Sequence, residues 1–434
     1  MARGFARSIG ICATVLALTW ASGPRSSADD RDAGVKDAGI KDAGARDAGL
    51  DLTKHAARSG ALPPIDLRGI LPLARRDGGL WVAHDASGRR IELTLSPNLQ
   101  ERARRLFQEY QVPYAALVAI EPSSGRILAY VSHSSVQPNT EDLARDVTPP
   151  AASVFKLITS AALVDAGVTP DTRVCYHGGS SRLEAANLQD NPRRDHACAS
   201  LDDALGKSTN AVFAKLADKH LNAGTLLRYA KSFGFGQALP FEFAPPPSPI
   251  EVPGERLEFA RTAAGFWHAF MSPLHGALIA ATFANDGSMP RPRLIDRVVL
   301  PDGKLAPALQ PGGAPRAVVS PKTAQAVSRM MQRTVKDGTS RAAFLDSRGR
   351  SQLPGIQVAG KTGSLSAQDP YRAYSWWVGF APLEQPRIAL AALVVNGPVW
   401  RIKSSFVARE MLREYLLGKS GEPAQVAQRR KRGR

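Results

Sequence analysis

Three short groups of residues have side chains whose types and spacing could perform acyl transfer. The first is Ser153 with Lys156, three positions apart, so that on a helix the two side chains share a face and can meet. A serine is a weak nucleophile until a base takes its proton, and a lysine in an apolar pocket can have its pKa lowered enough to serve. Taken by itself, such a pair is more often a helix-capping serine and a lysine that extends to solvent.

The second group is Ser208 and Asn210, at the start of a predicted helix. The Ser208 hydroxyl could relay a proton to a leaving amine, and the Asn210 side chain could hold Lys156 or a substrate amide. An ordinary helix N-cap is the structural alternative, because the same Ser-x-Asn pattern occurs at Ser96 and Asn98, where no such role is expected.

The third group is Lys361, Thr362, Gly363 and Ser364, directly after a strand predicted over residues 355–360. Gly363 lets a substrate backbone approach the strand edge, and Lys361 and Thr362 can bind a carboxylate. The backbone N–H groups of Ser364 and of the serine in the first group can form an oxyanion hole. A lysine at a hairpin edge is the structural alternative.

Hydrophobic periodicity predicts the elements that position these groups. Helices are expected over residues 98–111, 153–167, 201–219, 223–233, 272–285, 321–336 and 403–417. Strands are expected over residues 90–96, 114–120, 126–131, 355–360, 374–380 and 387–395. This order predicts an α/β fold of the α+β type, in which one antiparallel five-stranded sheet is flanked by helices and residues 168–350 form a large all-helical subdomain. The chemistry is expected in the cleft between the two parts.

In this order, the three groups form the signature of penicillin-binding proteins and serine β-lactamases. The chain resembles the transpeptidase domain of penicillin-binding proteins, in particular the monofunctional class B type, from about Leu93 to Tyr415. The resemblance extends to several further segments, namely Thr94 to Gln100, Ala116 to Tyr130, Leu205 to Ala217, Phe233 to Gly236, Asp337 to Thr339 and Val358 to Gly363. It implies a β-lactamase/transpeptidase-like fold.

The activity that the resemblance implies is that of a peptidoglycan D,D-transpeptidase. Ser153 would attack a D-alanyl-D-alanine stem peptide, D-alanine would leave, and an amine from a neighbouring stem would resolve the acyl-enzyme. β-Lactam antibiotics would acylate the same serine, and no cofactor is expected. The implied catalytic residues are Ser153, Lys156, Ser208 and Asn210. The implied substrate-binding residues are Lys361, Thr362, Gly363 and Ser364.

A few residues depart from the family's pattern. Ser364 stands where the family commonly has threonine, which keeps both the hydroxyl and the backbone donor. Trp267, His268 and His275 are unusual in segments that resemble the family's glycine-rich turn and a following helix start. A histidine in such a place is more often packed or capped than catalytic.

Hydrolysis and simple binding are the rival functions. A D,D-carboxypeptidase would use the same residues with water as the acceptor. A β-lactamase needs a group that activates the deacylating water, and the candidate in the stretch after Ser208 is Glu242, which lacks the class A pattern. β-Lactam hydrolysis is therefore not expected. A non-catalytic penicillin- or peptidoglycan-binding module stays open, although a signalling receptor would need a membrane span.

Two cysteines flank a loop upstream of the second group. In an exported protein, a disulfide between Cys175 and Cys198 is the leading interpretation. The alternative is a structural zinc site, because Cys175, His177, His196 and Cys198 could supply four tetrahedral ligands. The spacing of these four residues matches no standard zinc finger.

The first residues predict export. Arg3 and Arg7 precede an apolar run over residues 9–21, which at 1.5 Å per residue reaches about 20 Å and is short for a membrane span. We therefore expect a signal peptide over residues 1–28, with an uncleaved N-terminal anchor as the alternative. Asp-Ala-Gly then recurs at 32, 37, 42 and 47, which predicts a disordered linker over residues 29–60. A short extension over 61–90, a transpeptidase domain over 91–420 and a basic tail over 421–434 complete the expected domains.

Composition and charge limit the possible partners. The 434 residues are 44% apolar and 22% charged, which excludes a wholly disordered, fibrous or collagen-like chain. The net charge of +17 favours anionic surfaces. An exported, periplasmic or cell-envelope location excludes nucleic acid as an expected partner. Peptidoglycan stem peptides, β-lactams and cell-wall synthesis proteins are expected instead, and the basic tail can contact anionic envelope polymers.

Overall fold

The computed structural model describes residues 64–137, 142–241, 243–307 and 314–418. Its strands, in chain order, are β1 Arg75–Asp77, β2 Leu80–His84, β3 Arg90–Leu93, β4 Tyr114–Ile120, β5 Ile127–Ser134, β6 Arg173–Tyr176, β7 Ala197–Ser200, β8 Ser288–Met289, β9 Ile295–Val299, β10 Arg316–Ala317, β11 Ala359–Gln368, β12 Tyr371–Ala381 and β13 Ile388–Asn396. Its α-helices are α1 Leu67–Ile70, α2 Pro97–Glu109, α3 Lys156–Asp165, α4 Leu201–Lys207, α5 Asn210–His220, α6 Ala223–Ser232, α7 Arg256–Ala263, α8 Pro273–Ala284, α9 Pro321–Lys336, α10 Arg341–Phe344 and α11 Ser404–Leu417. The predicted signal peptide, repeat linker and basic tail lie outside the described residues.

A five-stranded antiparallel sheet occupies the centre, with the strand order β11-β12-β13-β4-β5. β4 and β13, which are buried along nearly their whole length, lie side by side in antiparallel register. Their alanine, valine and leucine residues explain why both faces of the sheet are covered. The predicted α/β fold with one antiparallel five-stranded sheet is confirmed.

The two faces of the sheet belong to two separate hydrophobic clusters. In β4, Ala116 and Val118 pack in one cluster, whereas the alternate residues Ala115 and Leu117 pack in the other. Helix α8, whose residues 273–283 are all buried, covers the first face. Helices α2 and α11 cover the second. Strand alternation therefore divides the core between the two layers.

Local capping explains where the long helices begin. Ser272 accepts a hydrogen bond from the backbone of His275, and Ser320 does the same for Thr323. Proline follows each of these serines at the first helical position, where its missing N–H costs nothing. The helices predicted over 272–285, 321–336 and 403–417 are confirmed to within one residue at each end.

The prediction that residues 168–350 are all helical is wrong in part. This region also holds five short strands, of which β6 pairs with β7, β8 pairs with β10, and β9 pairs with β3 in a small four-stranded sheet. Each of these strands is two to five residues long. Such short strands are stabilised by distant partners, so local periodicity does not reveal them.

The single helix predicted over 201–219 is two helices, α4 and α5. Between them, Ser208 has a left-handed φ of 60°, and the N–H of Thr209 donates to the carbonyl of Ala204 at 2.9 Å. Serine and threonine are poor helix formers because their hydroxyls compete for backbone hydrogen bonds. The break places the second group of predicted residues at a helix junction.

The prediction of a strand over residues 355–360 is wrong at both ends, because β11 begins at Ala359 and continues to Gln368. It contains the third group, and its register pairs Lys361 with Val378 and Ser364 with Ser375 of β12. The polar residues of this strand show no apolar alternation. Pairing with the buried strand β12 therefore holds the segment extended, and no local pattern predicts it.

No helix in the described part of the chain is both long and apolar enough to cross a membrane.

Gly125, in the turn between β4 and β5, should tolerate no side chain. Its φ is 72°, and a Cβ atom there would lie 1.9 Å from the carbonyl oxygen of Arg291. We expect Gly125→Ala to lower the free energy of unfolding by more than the roughly 1–2 kcal/mol of left-handed strain, as measured by urea denaturation.

Gly303→Ala is the matched control, because Gly303 has a φ of 83° but no atom within 4 Å of the added Cβ. Gly303→Ala should lower the free energy of unfolding only by the cost of the left-handed backbone conformation. Equal losses of stability in the two variants would contradict a steric role for the backbone at Arg291.

Candidate active site

Ser153 lies on a 3₁₀ turn, Ala152–Phe155, which leads directly into α3. The α-helix predicted over 153–167 therefore begins at Lys156 and not at the serine. Between residues 151 and 160, Ser153 is the one residue that is not buried. Its hydroxyl is consequently accessible, while the turn around it is held by the core.

The turn before Ser153 is held from two sides. Ala152 has a φ of 51°, a left-handed conformation that is costly for alanine. Gly265 packs against it so closely that a Cβ atom there would lie 2.4 Å from the Ala152 carbonyl oxygen. From the sheet, the Trp376 indole N–H donates to the carbonyl of Pro150 at 2.8 Å. These contacts fix the position of the serine.

Lys156 is fully buried behind Ser153. Its Nζ lies 2.8 Å from Ser153 Oγ and donates to Asn210 Oδ1 at 2.6 Å and to the Ala264 carbonyl at 2.7 Å. Burial lowers the pKa of Lys156 well below its ordinary value, and the charge of Lys361 lowers it further. A neutral amine has two N–H donors for the two carbonyl acceptors, so its lone pair can face the serine hydroxyl.

Asn210 is held at both ends of its amide. It is the first residue of α5, and its Nδ2 donates to the carbonyl of Ser180 at 2.6 Å while its Oδ1 accepts from Lys156. Because the nitrogen and the oxygen have different partners, the amide can adopt only one orientation. The loop that carries Ser180 therefore positions the asparagine.

Lys361 is the second fully buried lysine of the site. It donates to Ser208 Oγ at 2.8 Å and to the Thr362 carbonyl at 2.8 Å. Burial lowers the pKa of Lys361 to about 7. Near neutral pH, this lysine can therefore exchange a proton with its surroundings through the Ser208 hydroxyl.

The rest of the third group lines the same cleft. The hydroxyls of Thr362 and Thr339 lie 2.6 Å apart. Gly363 passes the nucleophile turn so closely that a Cβ atom there would lie 3.2 Å from Val154. Ser364 follows as an exposed residue of the edge strand. A substrate carboxylate could therefore reach the two hydroxyls beside the nucleophile.

The structure brings the three predicted groups together. The first group contacts the second through Lys156 and Asn210, and the second contacts the third through Ser208 and Lys361. Ser364 makes no side-chain hydrogen bond with any of the described residues of these groups, and its role as an oxyanion donor stays a prediction.

Sequence reasoning assigned no role to Ala264, Thr339 and Ser180, which contact the site. Ala264 lies in a Thr-Ala-Ala-Gly segment and Thr339 ends an Asp-Gly-Thr segment, and both segments carry the family resemblance, so a signal existed. Ser180 contributes only its carbonyl. No side-chain pattern can reveal such a backbone contact.

The unusual histidines are structural residues, as expected. His275 is buried, and its ring nitrogens lie 2.7 Å from Ser248 Oγ and 2.8 Å from the Phe233 carbonyl. Burial lowers the pKa of His275 to about 4, so it is neutral at physiological pH. His268 contacts Glu258 at 2.8 Å. Trp267 is partly exposed, at 41%.

Cys175 and Cys198 form a disulfide between β6 and β7. This pairing confirms the leading interpretation and contradicts the zinc alternative, because the two sulfurs are bonded to each other. Of the two histidines in the proposed ligand set, His177 instead contacts Asp195. No cluster suited to a metal ion occurs in the part of the chain that the structure describes.

Comparison with known proteins agrees with this geometry. A family model described as the penicillin binding protein transpeptidase domain matches residues 115–416. The peptidoglycan D,D-transpeptidase PbpA of Mycobacterium tuberculosis strain H37Rv is 29% identical over 366 residues, which cover 74% of this chain and 70% of PbpA. PbpA of Mycolicibacterium smegmatis strain ATCC 700084 / mc(2)155 is 29% identical over 363 residues, with the same coverage.

Solved structures show the same likeness. The crystal structure of PBPA from Mycobacterium tuberculosis superimposes with a TM-score of 0.61 at 26% identity, covering 76% of this chain and 83% of that one. The ceftriaxone acyl-enzyme complex of penicillin-binding protein A from the same organism gives a TM-score of 0.59 at 26% identity, covering 75% and 79%. That relative is therefore acylated by a β-lactam within a similar fold.

The buried charge of Lys361 should make stability depend on pH. The folded chain releases this proton near pH 7, whereas an unperturbed lysine releases it near 10.5. Between these values the unfolded chain binds more protons, so the free energy of unfolding should rise with pH. We expect the difference in stability between wild type and Lys361→Met to shift in favour of wild type across this window, as measured by urea denaturation.

Lys322→Met, at an exposed lysine of α9, is the control and should give a difference that varies less with pH. A flat difference for Lys361→Met would contradict burial of a titrating amine.

Proposed function

The chain belongs to the penicillin-binding protein transpeptidase family, and from that premise we propose that it is a peptidoglycan D,D-transpeptidase with Ser153 as the nucleophile. One observation carries the proposal: the buried Lys156 amine lies 2.8 Å from Ser153 Oγ. This contact pairs a nucleophile with a base whose pKa burial lowers.

In the acylation step, Ser153 Oγ attacks the carbonyl carbon of the penultimate D-alanine of a stem peptide. The hydroxyl proton passes to Lys156 Nζ, and an O–C bond forms. Asn210 and the Ala264 carbonyl hold the amine in place, so the proton has a short and fixed path. The developing oxyanion would lie near the backbone N–H groups of Ser153 and Ser364.

Collapse of this intermediate breaks the bond to the terminal D-alanine, whose nitrogen needs a proton to leave. Ser208 is suited to deliver it, because its hydroxyl accepts a hydrogen bond from the Lys361 ammonium at 2.8 Å. Lys361, whose pKa is about 7, can replace that proton. Lys361 and Thr362 would also attract the terminal carboxylate of the substrate.

The acyl-enzyme is then resolved by an amine from a neighbouring stem peptide. The attacking amine loses its proton through Ser208 to Lys361, which acylation left neutral, and a peptide bond forms as the bond to Ser153 breaks. Lys156 returns its proton to Ser153 Oγ, so that both lysines and the serine are restored. Among the described residues, no carboxylate forms a hydrogen bond with Ser153, Lys156, Ser208 or Asn210 that would activate water instead. A β-lactamase would need such a carboxylate, whereas a D,D-carboxypeptidase would not, so the choice between an amine and water as acceptor needs the experiment below. Glu242, the acid named from the sequence, lies outside the described residues.

We further propose that the protein is exported and acts in the periplasm or cell envelope. The apolar run over residues 9–21 supports this assignment, as does the Cys175–Cys198 disulfide. Cell-wall synthesis proteins are the proposed partners, and the basic tail is proposed to contact anionic envelope polymers. β-Lactams are the proposed inhibitors.

Ser153→Ala should abolish covalent labelling by a fluorescent penicillin, because Ser153 supplies the one hydroxyl among the described residues that forms a hydrogen bond with Lys156 Nζ. Ser160→Ala is a matched control on α3, the helix that follows the Ser153 turn, since the buried Ser160 hydroxyl has no partner among the described residues. Mass spectrometry of the wild-type adduct should place it on Ser153. An adduct elsewhere, or none on folded wild-type protein, would favour a non-catalytic binding module.

The acyl acceptor can be identified with a stem pentapeptide ending in D-alanyl-D-alanine. We expect the wild-type chain to exchange the terminal D-alanine for an added D-amino acid or to cross-link two peptides, as measured by liquid chromatography and mass spectrometry. Shortened tetrapeptide as the sole product, even with excess amine acceptor, would identify a D,D-carboxypeptidase instead.

A further inference from the structure

A second cavity, which we call the arginine cavity, lies at one end of the central sheet. It has a volume of about 1330 Å³, and Arg68, Arg104, Arg145, Arg372 and Trp81 line it. None of the catalytic or substrate-binding side chains proposed above lines it. The arginine cavity is therefore a separate feature of the fold, which the transpeptidase mechanism does not use.

The guanidinium groups of this cavity stack on aromatic rings. Arg145 and Arg68 lie 3.9 Å and 5.8 Å from the centre of the Phe243 ring. Arg104 lies 5.1 Å from the Trp81 ring, and Arg372 lies 5.5 Å from the ring of a tyrosine. Such stacking orients the planar groups and leaves their N–H edges free to bind an anion.

These arginines lack anionic partners within the described residues. None of the four forms an ion pair with a described carboxylate, and Arg145 donates only to the carbonyl of Ala244. The lining also includes Asp142 and Asp146, but Asp142 accepts hydrogen bonds from Tyr130 and Ser132 of β5, and Asp146 accepts one from the Thr148 hydroxyl. Among the described residues of the lining, four arginines outnumber two aspartates, which makes this part of the surface positive.

Three buried nitrogen atoms in the lining also lack partners. Trp81 is 5% exposed, and its Nε1–H meets no acceptor among the described residues. The same holds for Arg145 Nε and His133 Nε2. Buried N–H groups in native structures are almost always satisfied. These three atoms have almost no solvent-accessible surface, so a ligand in the cavity would contact the guanidinium groups and not these nitrogens.

The cavity is larger than the roughly 300–1,000 Å³ of typical small-molecule pockets. It can therefore hold an extended segment of several residues. Clusters of arginine are a common means of recognising acidic peptides, because each guanidinium can bind a carboxylate through two N–H groups. We propose that the arginine cavity binds an acidic peptide segment of a partner protein, with carboxylates on Arg68, Arg104 and Arg372.

The test uses the full chain and a fluorescently labelled hexaglutamate peptide, with hexaglutamine as the uncharged match. Fluorescence anisotropy should show binding of hexaglutamate alone, weakened by salt between about 0.05 and 0.5 M. The double variant Arg68→Gln with Arg372→Gln should bind at least about tenfold more weakly, since it loses two charged hydrogen-bond donors.

Arg105→Gln is the matched control, because Arg105 is the exposed neighbour of Arg104 on α2 and does not line the cavity. It should bind hexaglutamate like wild type, and thermal unfolding should show that every variant is folded. The proposal would be overturned if the double variant bound hexaglutamate as tightly as wild type does. It would also be overturned if wild type bound hexaglutamine as tightly as hexaglutamate. Inorganic polyphosphate that binds while hexaglutamate does not would identify a phosphate site and overturn the peptide assignment.

Discussion

The architecture of the site depends on excluding water from the side-chain amine of Lys156. Removing Lys156 from water is unfavourable for its charged form, and that penalty is what makes the amine available as a base at neutral pH. The cost is tolerable only because two carbonyl oxygens, on Asn210 and Ala264, accept the amine's hydrogens. The nucleophile turn, the helix junction and the Gly265 segment must therefore meet at one atom.

The backbone around this amine is correspondingly constrained. Ala152 and Ser208 are both left-handed although neither is glycine, which costs on the order of 1 kcal/mol or more each. The left-handed Ala152 lies directly before the nucleophile Ser153. The left-handed Ser208 ends α4, and its hydroxyl accepts a hydrogen bond from Lys361. The packed sheet and helices offset that strain, so the geometry of the site is stabilised by residues far from the chemistry.

Much of this could be predicted from the sequence. The order of the three groups indicated which side chains would meet, and apolar runs such as β4 and β13 predicted the sheet. The missed strands share one physical origin, because each concerned a contact between distant segments, whereas the helix break at Ser208 is local. The strand around Lys361 is extended only because β12 pairs with it, and β9 is a strand only because β3 lies beside it. The Ser180 carbonyl has no side-chain signature at all.

The position of β13 between β12 and β4 has a consequence for the order in which the protein can fold. β4 and β5 can form a hairpin as soon as residue 134 is available, but the inner edge of β4 has no partner until residues 388–396 arrive. Loop closure over such a separation is slow. An emerging chain would therefore present a long apolar strand edge until residues 388–396 are free, which is the kind of surface that aggregates or recruits chaperones.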